Sequence, residues 1–372
     1  MVCIGTIGKC NLIERDCSFN QQINSATLYK GLPQYLRIAA RSAYFQAKAW
    51  SESSSTTIAI LNKGKWEAIP LPLPSITEQH RIVAKVDALM ALCDRLEARQ
   101  ADAESAHAQL VQALLESLTQ AADATDFVAS WQRLAEHFHT LFTTESSITA
   151  LRKSLLHLAA DGRLVATTEP VEYLPLSDII DGDSLNGSSK KPQDSPGTVE
   201  ILRISAGTGS DDFLTDEYDH KWVDATYAEL AKFSLSKDDL LACRFNGNLH
   251  YVGAFSLYRG ERGVTQVFPD KLIRFRADRS KVFPHYLKYV LNATPARKQI
   301  ESFCATTVGN IGISAKNLKT VKVRLPSLEE QRFIIDLLDK LMALCDQVKA
   351  RLRQARQLNE QLVNALIEQA VA

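Results

Sequence analysis

The chain has no net charge, no long apolar run and no paired cysteine motif, and each absence removes a class of function. Its 372 residues hold 43 Lys and Arg against 43 Asp and Glu, so no global field advertises a nucleic acid, a membrane surface or an acidic substrate, and any such signal must be local. No segment approaches the ~18 to 20 consecutive apolar residues of a membrane-crossing helix. The opening "MVCIGTIGKC" lacks the basic region, apolar stretch and small-residue cleavage site of a secretory signal. The expected location is therefore the cytoplasm, with no membrane partner. The seven cysteines are scattered and free of C-x-x-C pairs, as suits reduced thiols better than a disulfide framework. Cys3, Cys10 and Cys17 recur every seven residues, a period unlike metal-ligand spacing, so no metal is expected.

Catalytic motifs are missing too. "GTIGKC" shares only its Gly-Lys pair with a phosphate loop, because Cys10 stands where a magnesium-binding Ser or Thr is needed. "GTGSDD" at Gly207 is no dinucleotide fingerprint, and neither G-x-S-x-G, H-E-x-x-H nor an "NPPY"-type adenine-methyltransferase stretch occurs. No catalytic residue and no cofactor of its own is expected of this chain.

What is present is a duplication. "LMALCD" occurs at Leu89–Asp94 and again at Leu341–Asp346, and an offset of 252 aligns Leu73–Arg99 with Leu325–Arg351 at 15 of 27 identical positions. Such agreement marks a repeated unit. Each copy reads "LPS" and then a helix start, with Ser75 and Ser327 three residues before Glu78 and Glu330, the pattern of a reciprocal capping box. The helix that follows carries a seam in alternating steps of four and three. The first runs Ile82, Val86, Leu89, Cys93, Leu96, Gln100, Ala103, His107, Leu110, Leu114; the second runs Ile334, Leu338, Leu341, Cys345, Val348, Leu352, Ala355, Asn359, Leu362, Leu366. A seam of that period wants a partner helix, and the economical reading pairs the two rods, each ~63 Å long.

Between the rods lies a helical stretch whose apolar residues fall on two faces, Phe127, Trp131, Leu134 and Phe138 on one and Ile148, Leu151, Leu155 and Leu158 on another, with Gly162 as a stop. From about Glu172 the texture becomes mixed α/β, with strand-like "DDLLACRF", "VGAFSLY" and "DKLIRFRA". Charge divides there: Tyr173–Asp239 holds six basic and fourteen acidic residues, a balance of −8, whereas Leu240–Pro326 holds fifteen basic and four acidic, a balance of +11. In that basic half Arg244, Asn246, Asn248, Arg262, Gln266, Lys271 and Arg274 are candidates to neutralise phosphates or pair with base edges. The same set also reads as a solvated basic face. Before the first rod, Lys9, Asn20, Gln21 and Gln22 supply corresponding chemistry.

A basic α/β domain followed by a capped "LPxxEQ" helix, the arrangement duplicated, resembles the specificity subunit of type I restriction-modification systems. The residues that carry the resemblance are "PLPLPSITEQHRIVAKVDALMALCDRL", "VRLPSLEEQRFIIDLLDKLMALCDQV", "ITALRKSLLHLAADGRLV" and "FPDKLIRFRAD". It implies a mixed α/β fold in which target-recognition domains are joined by two long helices forming an antiparallel coiled-coil pair. The segments are then 1–74, the end of a first recognition domain; 75–120, the first spacer helix; 121–170, a helical connector; 171–326, a second recognition domain; and 327–372, the second spacer helix. It also implies a non-catalytic, sequence-specific subunit that binds double-stranded DNA at a bipartite target. Methyltransferase (M) and restriction (R) subunits would be its partners, with S-adenosylmethionine, ATP and magnesium on them. Only 73 residues precede Pro74 against about 150 in the second domain, so the first domain is expected to lack its first half. The alternative function is a truncated helical scaffold that binds partner subunits without complete target recognition.

Overall fold

The computed structural model describes residues 1–54, 58–164, 171–208, 212–307 and 310–371. Val165 at the end of the connector motif, the remainder of that segment to residue 170, and Gly209–Asp211 of "GTGSDD" lie outside them. The chain divides into two compact units, Met1–Ala106 and His107–Ala372.

The first unit opens with irregular chain joined by isolated bridges, Val2 to Ile23, Ile4 to Ile60 and Ser54 to Ile60. Helices α1 (Pro33–Arg41), α2 (Ala43–Ser51) and α3 (Lys63–Glu67) follow, then the long α4 (Ile76–Thr119). Its small core gathers Cys3, Ile7, Phe45, Ala49, Leu61 and Ile69.

The second unit begins inside α4 and continues through α5 (Ala124–Glu136), α6 (Phe138–Leu141) and α7 (Glu145–Ala160). Strands β1 (Glu172–Pro175), β2 (Leu185–Asn186), β3 (Val199–Leu202) and β4 (His220–Val223) lead to α8 (Tyr227–Phe233). Then come β5 (Leu240–Cys243), β6 (Phe245–Asn246), β7 (Phe255–Leu257), β8 (Gln266–Val267) and β9 (Leu272–Phe275), helices α9 (Pro284–Asn292) and α10 (Thr294–Ser302), and β10 (Ala305–Thr307) with β11 (Asn310–Gly312). Helix α11 (Ala315–Lys319), β12 (Lys322–Leu325) and the long α12 (Leu328–Val371) complete it. The strands form small sheets ordered β2-β9-β5-β7, β10-β11-β6, β4-β3-β8 and β1-β12. Strand β5 is "LLAC" without alternation because it is buried throughout, flanked by antiparallel partners on both edges.

The first half of α12 is the seam expected of it. Ile334, Leu338 and Cys345 are buried, together with Met342, which lies outside the expected stripe, and Leu341, Val348 and Leu352 pack beside them. Within this unit the helix laid along the seam is the connector α7, running antiparallel: Arg152 pairs with Asp346, and two turns earlier on α7 and later on α12 Glu145 pairs with Arg353 at 2.6 Å. In α4 the buried stripe of the last turns is Val111, Leu115 and Leu118, covered by Leu134, Leu141 and Phe142. That stripe lies one position past the expected Leu110, which is exposed, because α5 to α7 approach from that side. His107 sits 3.1 Å from the Thr140 carbonyl. Cys93 is exposed and Cys345 buried, so the duplicated sulfur has two environments.

The duplication runs deeper than the aligned motif. Helices α1, α2 and α3 match α9, α10 and α11 in order and length, and the bridges at Ser54–Ile60 and Ile4–Ile60 match the β10–β11–β6 pairings. Tyr35 donates to the Pro72 carbonyl and Tyr286 to the Arg324 carbonyl, both at 2.9 Å. The helix starts depart from the expected box in one respect. Ser75 and Ser327 do accept the Glu78 and Glu330 amides, at 3.4 and 3.2 Å, but Glu78 turns to Arg81 and Glu330 to Arg324. The neighbouring glutamine in each copy is the buried one.

Removing a fully buried side chain from the α12 seam should be costly: Leu338→Ala should lower unfolding free energy by about 2–5 kcal/mol. Leu110→Ala, on an exposed face, should stay within about 0.5 kcal/mol. Urea unfolding of both variants checks the contrast.

Candidate nucleic-acid interface

Strand β3 carries "VEIL", an apolar run with one carboxylate inside it, and all four residues are buried. A buried charge requires a partner, and Glu200 takes several. Arg262 forks onto it with both terminal nitrogens, one bond at 3.0 Å, Gln266 donates to it at 2.7 Å, and His220 Nε2 lies 3.6 Å away. Burial by itself would raise the Glu200 carboxyl, but the hydrogen bonds from Arg262 and Gln266, with the His220 field, hold it below the ordinary glutamate range. Gln266 also donates to the Glu217 carbonyl at 2.8 Å. The Glu217 carboxylate accepts the Glu261 and Arg262 amides, each at 3.1 Å. The loop after β7 is thereby tied down to the turn before β4.

This geometry redistributes the charge that the sequence divides. Carboxylates of the acidic half meet cations of the basic half: Glu200 with Arg262, Asp239 with Arg276 and Arg274, Asp238 with Arg279, and Asp183 with Lys319. Arg274 also donates to the Ser234 carbonyl at 2.8 Å and lies over the Phe268 ring. Arg262, Gln266 and Arg274 thus direct their donors into the fold.

Of the remaining candidates of this unit, Lys271 and Asn248 are exposed and Arg244 and Asn246 are half-buried. Lys271 is exposed and makes no ion pair among the described residues. Its carbonyl accepts the Arg244 amide at 2.8 Å, which sets the two cations on adjoining backbone. The Arg244 guanidinium lies 4.7 Å from the Phe245 ring centroid and has no carboxylate partner among the described residues. From Arg244 a loop opens to Gly253, closed at its base by the Gly253 amide on the Cys243 carbonyl at 2.7 Å. Asn246 Oδ1 accepts the Asn248 amide and Asn248 Oδ1 accepts the His250 amide, at 2.9 and 3.0 Å, as turn-forming asparagines do. Beside Asn246, the Cys243 thiol donates to the Phe245 carbonyl at 3.5 Å and is pushed up to about 11 by burial. Asn248 is exposed. Arg297 on α10 pins the loop by donating to the Val252 and Leu249 carbonyls, at 2.8 and 3.2 Å. Sequence reasoning missed both Arg297 and Glu200, although a carboxylate inside an apolar strand was a usable signal.

In the first unit Lys9, Asn20, Gln21 and Gln22 are all exposed. Asn20 Oδ1 accepts the Gln22 amide at 3.0 Å, and the Gln22 carbonyl accepts the Cys3 amide at 2.8 Å. The Lys9 carbonyl accepts the Val2 amide at 2.8 Å, so Lys9 and this turn flank the same short segment. Among the described residues no three His, Cys, Asp or Glu side chains converge as a metal site would require, and no helix is long and apolar enough to cross a membrane.

The model for the type I restriction modification DNA specificity domain matches residues 1–104 and 169–355. The chain belongs to that family. Its two matched stretches each contain one copy of the duplicated motif. Among proteins of this family, the EcoEI specificity subunit of Escherichia coli is 28% identical over 353 residues, covering 82% of this chain and 59% of the relative. The EcoKI specificity subunit of Escherichia coli strain K12 is 26% identical over 333 residues, covering 89% of this chain and 63% of the relative. The chain therefore spans about three fifths of the length of these relatives. A solved structure described as the "structural basis underlying complex assembly and conformational transition of the type I R-M system" shares the fold with a TM-score of 0.52 at 19% identity, covering 90% of this chain and 70% of that one.

Arg262→Ala should destabilise the specificity domain by about 3–5 kcal/mol, because it strands the Glu200 carboxylate in the interior. Because Glu200 titrates lower in the folded than in the unfolded chain, its contribution is present above the ordinary glutamate range and lost as pH falls below it. The variant's deficit should therefore narrow on acidification, a trend that urea unfolding across pH 3–7 reads on the order of one unit at a time.

Proposed function

We propose that the chain reads DNA on behalf of a type I restriction-modification complex, binding double-stranded DNA at a bipartite target while methyltransferase and restriction subunits perform the chemistry. The observation that carries this reading is the edge formed by Arg244, Lys271 and Asn248. It presents two cations with no carboxylate partner among the described residues, beside an exposed amide on a fixed loop. Cations in that setting neutralise phosphates, and an asparagine amide is the side chain whose donor and acceptor match an adenine edge. Lys9 and the Asn20–Gln22 turn are the corresponding candidates in the first unit. The domain limits 1–74, 75–120, 121–170, 171–326 and 327–372 belong to the same reading, with the α/β segments as readers and the long helices as spacers.

S-adenosylmethionine, ATP and magnesium belong in this proposal to the partner subunits, and the complex works in the cytoplasm. The chain contributes affinity, register and base choice. One turn of duplex is ~34 Å, so the direction and length of the helices limit which half-sites are reached together.

The test is co-purification with methyltransferase subunits, followed by mapping of methylated adenines. Lys271→Ala and Arg244→Ala should each weaken duplex binding across sequences and lower the salt slope by about 1, whereas Asn248→Ala should relax discrimination at one position by about 1–3 kcal/mol. A well-formed complex that modifies no bipartite site would replace this reading with that of a scaffold.

A further inference from the structure

Gln331 is wholly buried, and all its hydrogen-bonding groups are used. Its Oε1 accepts the Phe283 amide at 2.9 Å, and its Nε2 donates to the Pro326 carbonyl at 2.9 Å and the Lys281 carbonyl at 3.0 Å. Gln79, nearly as buried, does the same in the first unit. Its Oε1 accepts the Leu32 amide at 2.7 Å and its Nε2 donates to the Pro74 carbonyl at 2.8 Å. In both copies the amide so held is the N-cap residue of a helix that begins with proline and has no side-chain cap of its own. The carbonyl so held is the proline that precedes the long helix. One glutamine therefore joins two helix starts, α1 with α4 and α9 with α12.

A single joint would leave rotation about itself. The second joint is the tyrosine one turn into the same short helix, Tyr35 on the Pro72 carbonyl and Tyr286 on the Arg324 carbonyl. Two attachments to the extended segment before the rod fix a direction as well as a point. The second unit adds Tyr289 on Asp339 and Arg324 on Glu330. At the corresponding places the first unit has Ile38, Asp87 and Pro72, which cannot reproduce those bonds. The glutamine and the tyrosine are what both copies share.

We propose that Gln331 and Gln79 are positioning residues that set the direction in which each long helix leaves the unit before it, so that they govern the gap between half-sites without touching DNA. The clause about half-sites rests on the DNA-reading function above; the mechanical part does not.

The experiment uses the full chain with Cys10, Cys17, Cys93 and Cys304 changed to serine and spin labels at Lys232→Cys on α8 and Glu360→Cys near the end of α12. Gln331→Ala should broaden the interlabel distance distribution and speed exchange of the Phe283 amide about tenfold, while unfolding stays cooperative. Gln331→Glu, which keeps an acceptor for Phe283, should broaden it less, and it carries the test if the alanine variant does not fold. Faster Phe283 exchange with an unchanged distribution would overturn the proposal, because packing alone would then hold the direction. With methyltransferase subunits, Gln331→Ala should keep the half-site sequences and accept a wider range of gaps. If the unsubstituted chain directs no methylation at all, the DNA-reading function fails while the label distances still decide the joint.

Discussion

The first half of α12 is the wall on which the second unit is built. Ile334, Leu338, Met342 and Cys345 are buried between α7 on one side and α9 on the other, so a single amphipathic stripe joins the connector, the sheet-bearing segment and the rod. The apolar area removed there contributes most of the local stabilisation. The polar groups at its margins, Arg152 with Asp346 and Arg353 with Glu145, fix the register of α7 against it. Losing the stripe would separate three elements at once.

Net neutrality here reflects equal numbers of opposite charges, 43 of each, rather than scarcity of charge. Carboxylates of the acidic half reach into the basic half, and Glu200, Asp238, Asp239 and Asp183 offset four units of the +11 balance that the basic half carries in the sequence. Arg244 and Lys271 are among the cations left without a carboxylate partner among the described residues, and they sit on adjoining backbone. Pairings of this kind also act against alternative folds, since a slip in β3 would strand Glu200 away from Arg262 and Gln266.

The parts of the fold legible from sequence are those whose physics is local. Period and capping residues gave both long helices, because Ser75 and Ser327 need only an amide three residues on. An unbroken apolar run marked β5, and the strand-like "DKLIRFRA" marked β9. The role of Gln79 and Gln331 was not legible, since their partners at Leu32 and Phe283 lie 47 and 48 residues away. The candidate site divides by the same rule. Lys271 and Asn248 are exposed, but Arg262 and Gln266 are drawn inward by a carboxylate more than sixty residues upstream.

The loop from Arg244 to Gly253 is closed at its base by a backbone bond and held at its side by the Arg297 fork. Its shape is therefore settled during folding, and little conformational entropy remains to be lost when anything meets it. Encounter with a preformed loop is limited by orientation rather than by rearrangement, so surfaces that fit it well and badly should differ chiefly in how long they stay.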